Sequence, residues 1–230
     1  MTMSEPVVAL VVAAGSGVRL GGDGPKALRP LVGRPLLQHA IEALISGGVT
    51  RVVVTIREQD RAQFETALAD IDVPVDLVVG GAERQDSVRL GLTAVAASGA
   101  RIVLVHDAAR PLVPPAVVRA VVDAVRSGAT AVVPAIAVAD SVRTTASGRS
   151  AVVDRSTLVA VQTPQGFDVT TVIRGHTYVH EHELRVTDDA AVCELIGEQV
   201  TIVPGSRESL KITDPVDLLL AEAVLAARQG

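Results

Sequence analysis

Six short runs rich in Val, Ile and Ala recur along the chain, at residues 7–13, 51–55, 75–79, 102–106, 129–135 and 200–203. Each is apolar at consecutive positions rather than alternate ones, so a strand made from it must be buried on both faces. Between the runs, apolar residues return at helical spacing. Residues 35–46 carry Leu36, Leu37, Ala40, Ile41 and Leu44 on one face and stop at Gly47-Gly48. Further helices are expected over 60–68, 85–97 and 114–127, the last opening on Pro114-Pro115 and ending before Gly128. A final helix starts at Pro215 behind a capping Asp214 and runs to about Gln229. Doubly buried strands alternating with helices predict an α/β protein with a doubly wound, mostly parallel twisted sheet.

Residues 137–154 break the rhythm. Asp140-Ser141-Val142-Arg143-Thr144-Thr145 and Ala151-Val152-Val153-Asp154 flank a turn at Gly148, which reads as a hairpin leaving the main sheet. With its return to the sheet, this β-hairpin arm spans 137–158. There is no internal repeat and no low-complexity linker, so a single domain over 1–230 bearing one arm is expected.

Composition narrows the function. The net charge of -5 argues against a dedicated nucleic-acid binder, which carries a basic field. With no Trp, one Tyr and two Phe, the chain cannot build an aromatic platform for stacking bases. Cys193 stands alone, which excludes a disulfide framework and a Cys-based zinc site; in its helical surroundings it reads as a small core residue. No apolar run approaches a membrane span, and Met1 to Pro6 lack a basic leader segment, so a cytoplasmic protein without a membrane partner is expected. Of 21 basic residues only Lys26 and Lys211 are lysines. In a chain that otherwise uses Arg, they mark places where a compact point charge is needed.

The first run ends in Ala13-Ala14-Gly15-Ser16-Gly17-Val18-Arg19-Leu20, and the loop continues to Pro25-Lys26. A Gly-rich turn after the first strand is where α/β sheets bind phosphates. A dinucleotide fingerprint fails at Leu20, where its third glycine belongs, and the second run ends without a ribose-binding acid. A Walker A loop fails because Lys26 lies between Pro25 and Ala27. The third reading is a longer loop around a triphosphate, using backbone N–H groups of Gly15, Ser16 and Gly17 with Arg19 and Lys26 as cations. An ordinary Gly-rich surface turn is the alternative to all three.

The loop motif resembles that of sugar-phosphate nucleotidyltransferases. Four further segments narrow the match: residues 80–88 (GGAERQDSV), 106–111 (HDAARP), 162–167 (QTPQGF) and 187–190 (TDDA). Together they resemble the 2-C-methyl-D-erythritol 4-phosphate cytidylyltransferase family, with ribitol-5-phosphate cytidylyltransferases as close relatives. The resemblance covers nearly the whole chain and implies a Rossmann-like nucleotidyltransferase fold. It implies attack of a polyol phosphate on the α-phosphorus of CTP, release of pyrophosphate, and Mg²⁺ as cofactor. It assigns catalysis to Arg19, Lys26, Arg155 and Lys211, and nucleotide contacts to the loop from Ala13 and Ala14 onward with Gly80, Ser87 and Asp107. Asp107 is read as a ribose or metal ligand. Substrate contacts are implied for Ser141, Thr163 and Thr187, and Arg110 is read as a phosphate ligand or a partner of Asp107. The family's arms embrace in a homodimer, which would carry Arg155 and Ser141 into the partner's site. Arg143 stands where the family commonly has Lys, so the geometry of that charge changes.

Two readings from other classes remain, a non-catalytic nucleotide sensor and a nicotinamide-dependent oxidoreductase. The spacing of His176, His180 and His182 could also hold zinc, although Glu181 and Glu183 between them suggest a solvated helix end.

Overall fold

The computed structural model describes residues 6–15, 24–145 and 148–229. The chain opens with β1 (Val7–Val12), a small ladder of β2 (Pro30–Leu31) and β3 (Arg34–Pro35), and α1 (Leu36–Ser46). It continues through β4 (Arg51–Ile56), α2 (Arg61–Leu68), β5 (Val75–Val79), α3 (Arg84–Ala97), β6 (Ile102–Asp107), α4 (Pro115–Arg126) and β7 (Ala131–Ala137). The arm holds β8 (Val142–Thr144) and β9 (Ala151–Val153). After it come β10 (Val159–Val161), β11 (Gln165–Asp168), α5 (Val169–Glu181), α6 (Asp189–Glu194), β12 (Val200–Pro204) and α7 (Pro215–Gln229). The six expected strands and five expected helices all form, with ends displaced by at most two residues.

Strands β5, β4, β1 and β6 are neighbours in that order and run parallel. β11 is inserted antiparallel between β6 and β7, and β7 also pairs antiparallel with β10 and parallel with β12. The sheet is therefore mostly parallel, not wholly so. The continuous apolar runs have the expected cause. Val7, Ala9 and Val11 of β1 pack under α1, α2 and α4, while Val8 and Leu10 pack under α3 and α5 on the opposite face, all essentially unexposed. The two phenylalanines are divided between the layers, Phe64 in the first and Phe167 in the second, both with no exposed surface. Each contributes roughly 1.5–3 kcal/mol by leaving water.

Three features of this packing position the cleft described below. The chain winds outward from β1 through β4 to β5, then returns to the other side of β1 as β6. That reversal is the place where open α/β sheets form a binding crevice. Gly91 lets α3 lie directly on β1, since a Cβ there would meet Leu10 Cδ1 at 2.4 Å. A third apolar cluster, with Leu31, Leu36, Leu112, Ile212 and Ala221, pins α7 and the segment before it to the same edge. The β8–β9 hairpin forms a separate two-stranded sheet, with Val152 exposed at 71%. Among the described residues no helix is long and apolar enough to cross a membrane.

Candidate active site

Four segments meet at the carboxyl edge of the parallel strands around a cleft of about 230 Å³. Ala13, Ala14, Gly15 and Lys26 come from the loop after β1, and Gly81 to Arg84 with Ser87 come from the turn into α3. Asp107 to Ala109 follow β6, and Lys211 enters from the segment before α7. Three cations (Lys26, Arg84, Lys211) and two carboxylates (Glu83, Asp107) line it, a balance suited to a polyanion. The first turn of α3 adds outward-facing N–H groups and the positive end of its dipole. That turn is held by the Asp86 side chain, which accepts from the Glu83 backbone N–H at 3.3 Å.

Asp107 organises the charge. Its Oδ2 accepts from Lys211 Nζ at 2.8 Å and its Oδ1 from Arg84 Nε at 3.2 Å. Burial alone would raise its carboxyl, but Arg84 and Lys211 outweigh burial and hold it well below the usual carboxylate range. Burial likewise works against the Arg84 cation, yet Asp189 and Asp107 more than compensate, so Arg84 is firmly charged.

The loop after β6 is fixed from beneath. His106 is fully buried, which pushes its imidazole down to about 4 and leaves it neutral at neutral pH. Its Nε2 lies 3.0 Å from the Arg110 carbonyl, an acceptor, so Nε2 carries the proton. Nδ1 then accepts from the Thr163 hydroxyl at 3.1 Å, and the Thr163 oxygen accepts from the Asp107 backbone N–H at 3.1 Å. Arg110 Nη1 donates to the Ser209 carbonyl at 2.7 Å, and the Ile212 N–H donates to the Ala109 carbonyl at 2.8 Å. These bonds zip the segment at 209–212 onto the loop at 107–110 and bring Lys211 to Asp107.

The floor on the opposite side is made of small residues. Ser87, 2% exposed, accepts from the Gly81 N–H and donates to the Glu83 carbonyl, both at 3.1 Å. A Cβ on Gly80 would stand 2.6 Å from Ser87 Oγ and 3.1 Å from Ala14 Cβ, so only glycine fits between them. Among the described residues no aromatic ring lines the cleft. Both Phe are in the core, and Tyr178 stacks on His182 along α5 with ring centres 4.0 Å apart.

Of the residues singled out from sequence, Ala13, Ala14, Gly15, Lys26, Ser87, Asp107 and Lys211 line this cleft, and Gly80 packs directly behind it. Ser16, Gly17 and Arg19 lie outside the described residues. Other expectations need correction. Thr163 is buried beneath the cleft and serves the His106–Asp107 loop instead of facing a substrate. Arg110 ties its guanidinium to the Ser209 carbonyl and forms no direct ion pair with the Asp107 carboxylate, although its backbone N–H donates to the Asp107 carbonyl at 2.9 Å and helps to close the loop. Thr187 is exposed and does not line the cleft. Arg155 and Ser141 were expected to act in a partner's site, and neither lines the cleft of its own chain: Arg155 is exposed at the base of the arm, where its guanidinium donates to the Ala139 carbonyl, and Ser141 is exposed beside it. Arg143 donates to the Ser150 hydroxyl and carbonyl across the hairpin. His176 is not on a solvated helix end: it is 2% exposed and faces Asp189 at 3.2 Å. Among the described residues no group of three or more His, Cys, Asp or Glu could hold a metal ion by itself.

Arg84 and Asp189 had no assigned role, though both fall inside quoted motifs. The signal for Arg84 was its place at the first turn of a helix that opens on the carboxyl edge. The signal for His176 was its spacing from Val172 and Val179, which puts it on the apolar stripe of α5.

Comparison with known proteins agrees with this geometry. The sequence model of the 2-C-methyl-D-erythritol 4-phosphate cytidylyltransferase family matches residues 7–227. A protein of that name from Saccharopolyspora erythraea is 50% identical, the match covering 96% of this chain and 99% of that protein. One from Streptomyces coelicolor is 49% identical, with coverage of 96% and 85%. Among solved structures, 4-diphosphocytidyl-2C-methyl-D-erythritol synthase from Anaerococcus prevotii superposes with a TM-score of 0.85 at 26% identity, covering 96% of this chain and 99% of that one. The 2-C-methyl-D-erythritol 4-phosphate cytidylyltransferase of Thermus thermophilus superposes with a TM-score of 0.77 at 30% identity, covering 94% and 98%. With a cation-lined cleft at the switch point and family motifs around it over nearly its full length, the chain belongs to the 2-C-methyl-D-erythritol 4-phosphate cytidylyltransferase family.

Proposed function

We propose that this chain transfers the cytidylyl group of CTP to 2-C-methyl-D-erythritol 4-phosphate and releases pyrophosphate. The observation that carries this reading is the convergence of Lys26, Arg84 and Lys211 with Asp107 at a cleft whose other wall is small residues. An oxygen of the acceptor phosphate attacks the α-phosphorus; the bond from that phosphorus to the bridging oxygen breaks, and pyrophosphate leaves with the electron pair. A phosphate monoester is largely dianionic at neutral pH, so no protein base is needed to generate the nucleophile. The task left to the protein is to bring two anions together and hold the charge gathering on the α-phosphate oxygens. Lys26 and, by family resemblance, Arg19 serve that charge. Lys211, fixed by Asp107, draws the incoming phosphate.

Mg²⁺ is part of the proposal. Asp107 supplies one carboxylate with lone pairs beyond those used by Arg84 and Lys211, and a hard cation held by one carboxylate plus substrate phosphates is usual for Mg²⁺. When bound, it would offset phosphate charge beside Lys26. A homodimer through the 137–158 arm is proposed as well. Support comes from Arg155 and Ser141, which are exposed and outside their own cleft, and from exposed Val152 and Val159 on and beside the hairpin. A cytoplasmic location completes the reading.

The test is pyrophosphate release by purified protein with CTP, Mg²⁺ and either 2-C-methyl-D-erythritol 4-phosphate or ribitol 5-phosphate. Turnover with the first and not the second is expected, with UTP, ATP and GTP poor replacements and chelation of the metal abolishing the signal. No turnover with either acceptor refutes the reading. For the dimer, mixing Lys26→Ala with Arg155→Ala protein restores part of the activity if each site takes an arm from its neighbour.

A further inference from the structure

A line of paired charge runs from the cleft into the helix layer behind it and becomes fully buried only at Asp189 and His176. It begins with Lys211 and Asp107 and passes through Arg84, whose Nη2 lies 2.7 Å from Asp189 Oδ2. It ends where Asp189 Oδ1 lies 3.2 Å from His176 Nε2. Asp189 and His176 are 1% and 2% exposed. Neither lines the cleft, so neither touches a bound nucleotide. Arg84 does line it, with one carboxylate in front and another behind.

Asp189 is an expensive residue to keep for stability alone. A buried carboxylate gives up its hydration, and here that loss is offset by close contacts to Arg84 on one oxygen and His176 on the other. Burial would raise its carboxyl, but Arg84 and His176 outweigh burial and keep it ionised. Its backbone is tightly held. Gln165 Oε1 accepts from the N–H groups of Asp189 and Ala190 at 3.0 and 3.1 Å, and Gln165 is itself 1% exposed on β11 inside the sheet. Asp188 caps α6 by accepting from the Ala191 N–H at 3.0 Å. The carboxylate is thus anchored to a buried strand of the central sheet and aimed at a long side chain that would otherwise have several rotamers.

We propose that Asp189, backed by His176, is a positioning residue that locks the Arg84 guanidinium in the cleft and through it orients Asp107. The inference rests on the cytidylyltransferase reading. With only Asp107 as partner, Arg84 would swing with that carboxylate and lose its fixed angle to the nucleotide phosphates. Two acids on opposite sides leave the guanidinium one arrangement, and Asp107 is then held between two fixed cations.

A double-mutant cycle tests this with Asp189→Asn, Arg84→Gln and the combination, measuring kcat and KM for each substrate together with the melting temperature. Asp189→Asn should lower kcat/KM for CTP about tenfold or more, the scale of losing one partner of a buried charge pair, with a smaller rise in KM for the acceptor, whose Lys211 is reached only through Asp107. In the Arg84→Gln background the same change should alter kcat/KM by less than about twofold, because the positioned group is already gone. Equal fold losses in both backgrounds, or no loss in the first, overturn the positioning role; a structural role alone would lower the melting temperature equally in both. If Asp189→Asn does not fold, His176→Gln takes its place in the same cycle, with a loss of about threefold expected only when Arg84 is present. Absence of wild-type turnover refutes the cytidylyltransferase reading and this inference with it; a working wild type with additive losses refutes this inference alone.

Discussion

Gly80→Ala is the sharpest test of the small-residue wall. The added Cβ would lie 2.6 Å from Ser87 Oγ, 3.1 Å from Ser87 Cβ and 3.1 Å from Ala14 Cβ. The first distance is too short for any contact, so Ser87 must rotate or the turn must open. Ser87 Oγ is the centre of that turn, accepting from Gly81 and donating to Glu83. Losing both bonds costs about 1–3 kcal/mol, and crowding a packed site adds about 1–3 kcal/mol more. Because Gly81, Glu83 and Ser87 all line the cleft, the strain reaches the nucleotide directly. KM for CTP should rise about tenfold, with a smaller change in KM for the acceptor. The assay is pyrophosphate release across a CTP titration, paired with chemical denaturation of the same samples. Ser87→Ala supplies the internal control. It removes the atom at 2.6 Å, so adding Gly80→Ala to it should destabilise the protein by clearly less than in the wild type. Equal stability losses in the two backgrounds, or an unchanged KM for CTP in Gly80→Ala, would refute the argument.

Three further outcomes follow from the same structure. Ala14→Leu puts a branched side chain into the cleft without removing a polar group, and should weaken CTP binding about tenfold or more by calorimetry while leaving the melting temperature within a few degrees. Lys26→Ala should lower kcat by about 100-fold or more but CTP affinity by less than about tenfold, since its charge matters most as the α-phosphate gains charge; an equal loss in both would favour a binding-only role. Stability should fall as pH drops from about 6.5 towards 4, because the unfolded state takes up a proton on His106 in that window and the folded state, with its imidazole pushed down to about 4, does not. That loss reaches about 3 kcal/mol from this group, and a His106→Gln variant should show a correspondingly flatter profile in urea unfolding at pH 7, 6, 5 and 4.

The scarcity of aromatic residues takes on a definite meaning in the folded chain. Phe64 and Phe167 are used to fill one core layer each, and Tyr178 lies on α5, so none is left for a base. The cleft therefore offers a nucleobase polar groups and small residues in place of a ring, and the narrow contact of Gly80 with Ala14 and Ser87 leaves backbone groups open to close approach.

Strands, helices and the cleft's first loop were legible because their signals are local. Val7 to Val12 are apolar at every position, and a run of that kind has few options other than a doubly covered strand. Lys26 and Lys211 stood out against a background of arginine, and both line the cleft. β11 was not legible: Gln165, Gly166, Phe167 and Asp168 form too short and mixed a run to declare a strand, and only the gap between β6 and β7 makes them one. The arm was visible as a hairpin, and the structure places its Arg155 outside the cleft of its own chain. What the sequence determined by itself is the order of elements, their faces and the chemistry gathered at one sheet edge, since these follow from periodicity and turn residues read within a few positions. What only the tertiary structure decided is which charges meet. Lys211 reaches Asp107 across 104 residues of chain, and Arg84 finds Asp189 behind the cleft and not in it. Periodicity says which face a residue occupies, whereas a charge pair depends on how two distant segments are set against each other to within an ångström or so, and that is fixed by the packing of the whole sheet and its two helix layers.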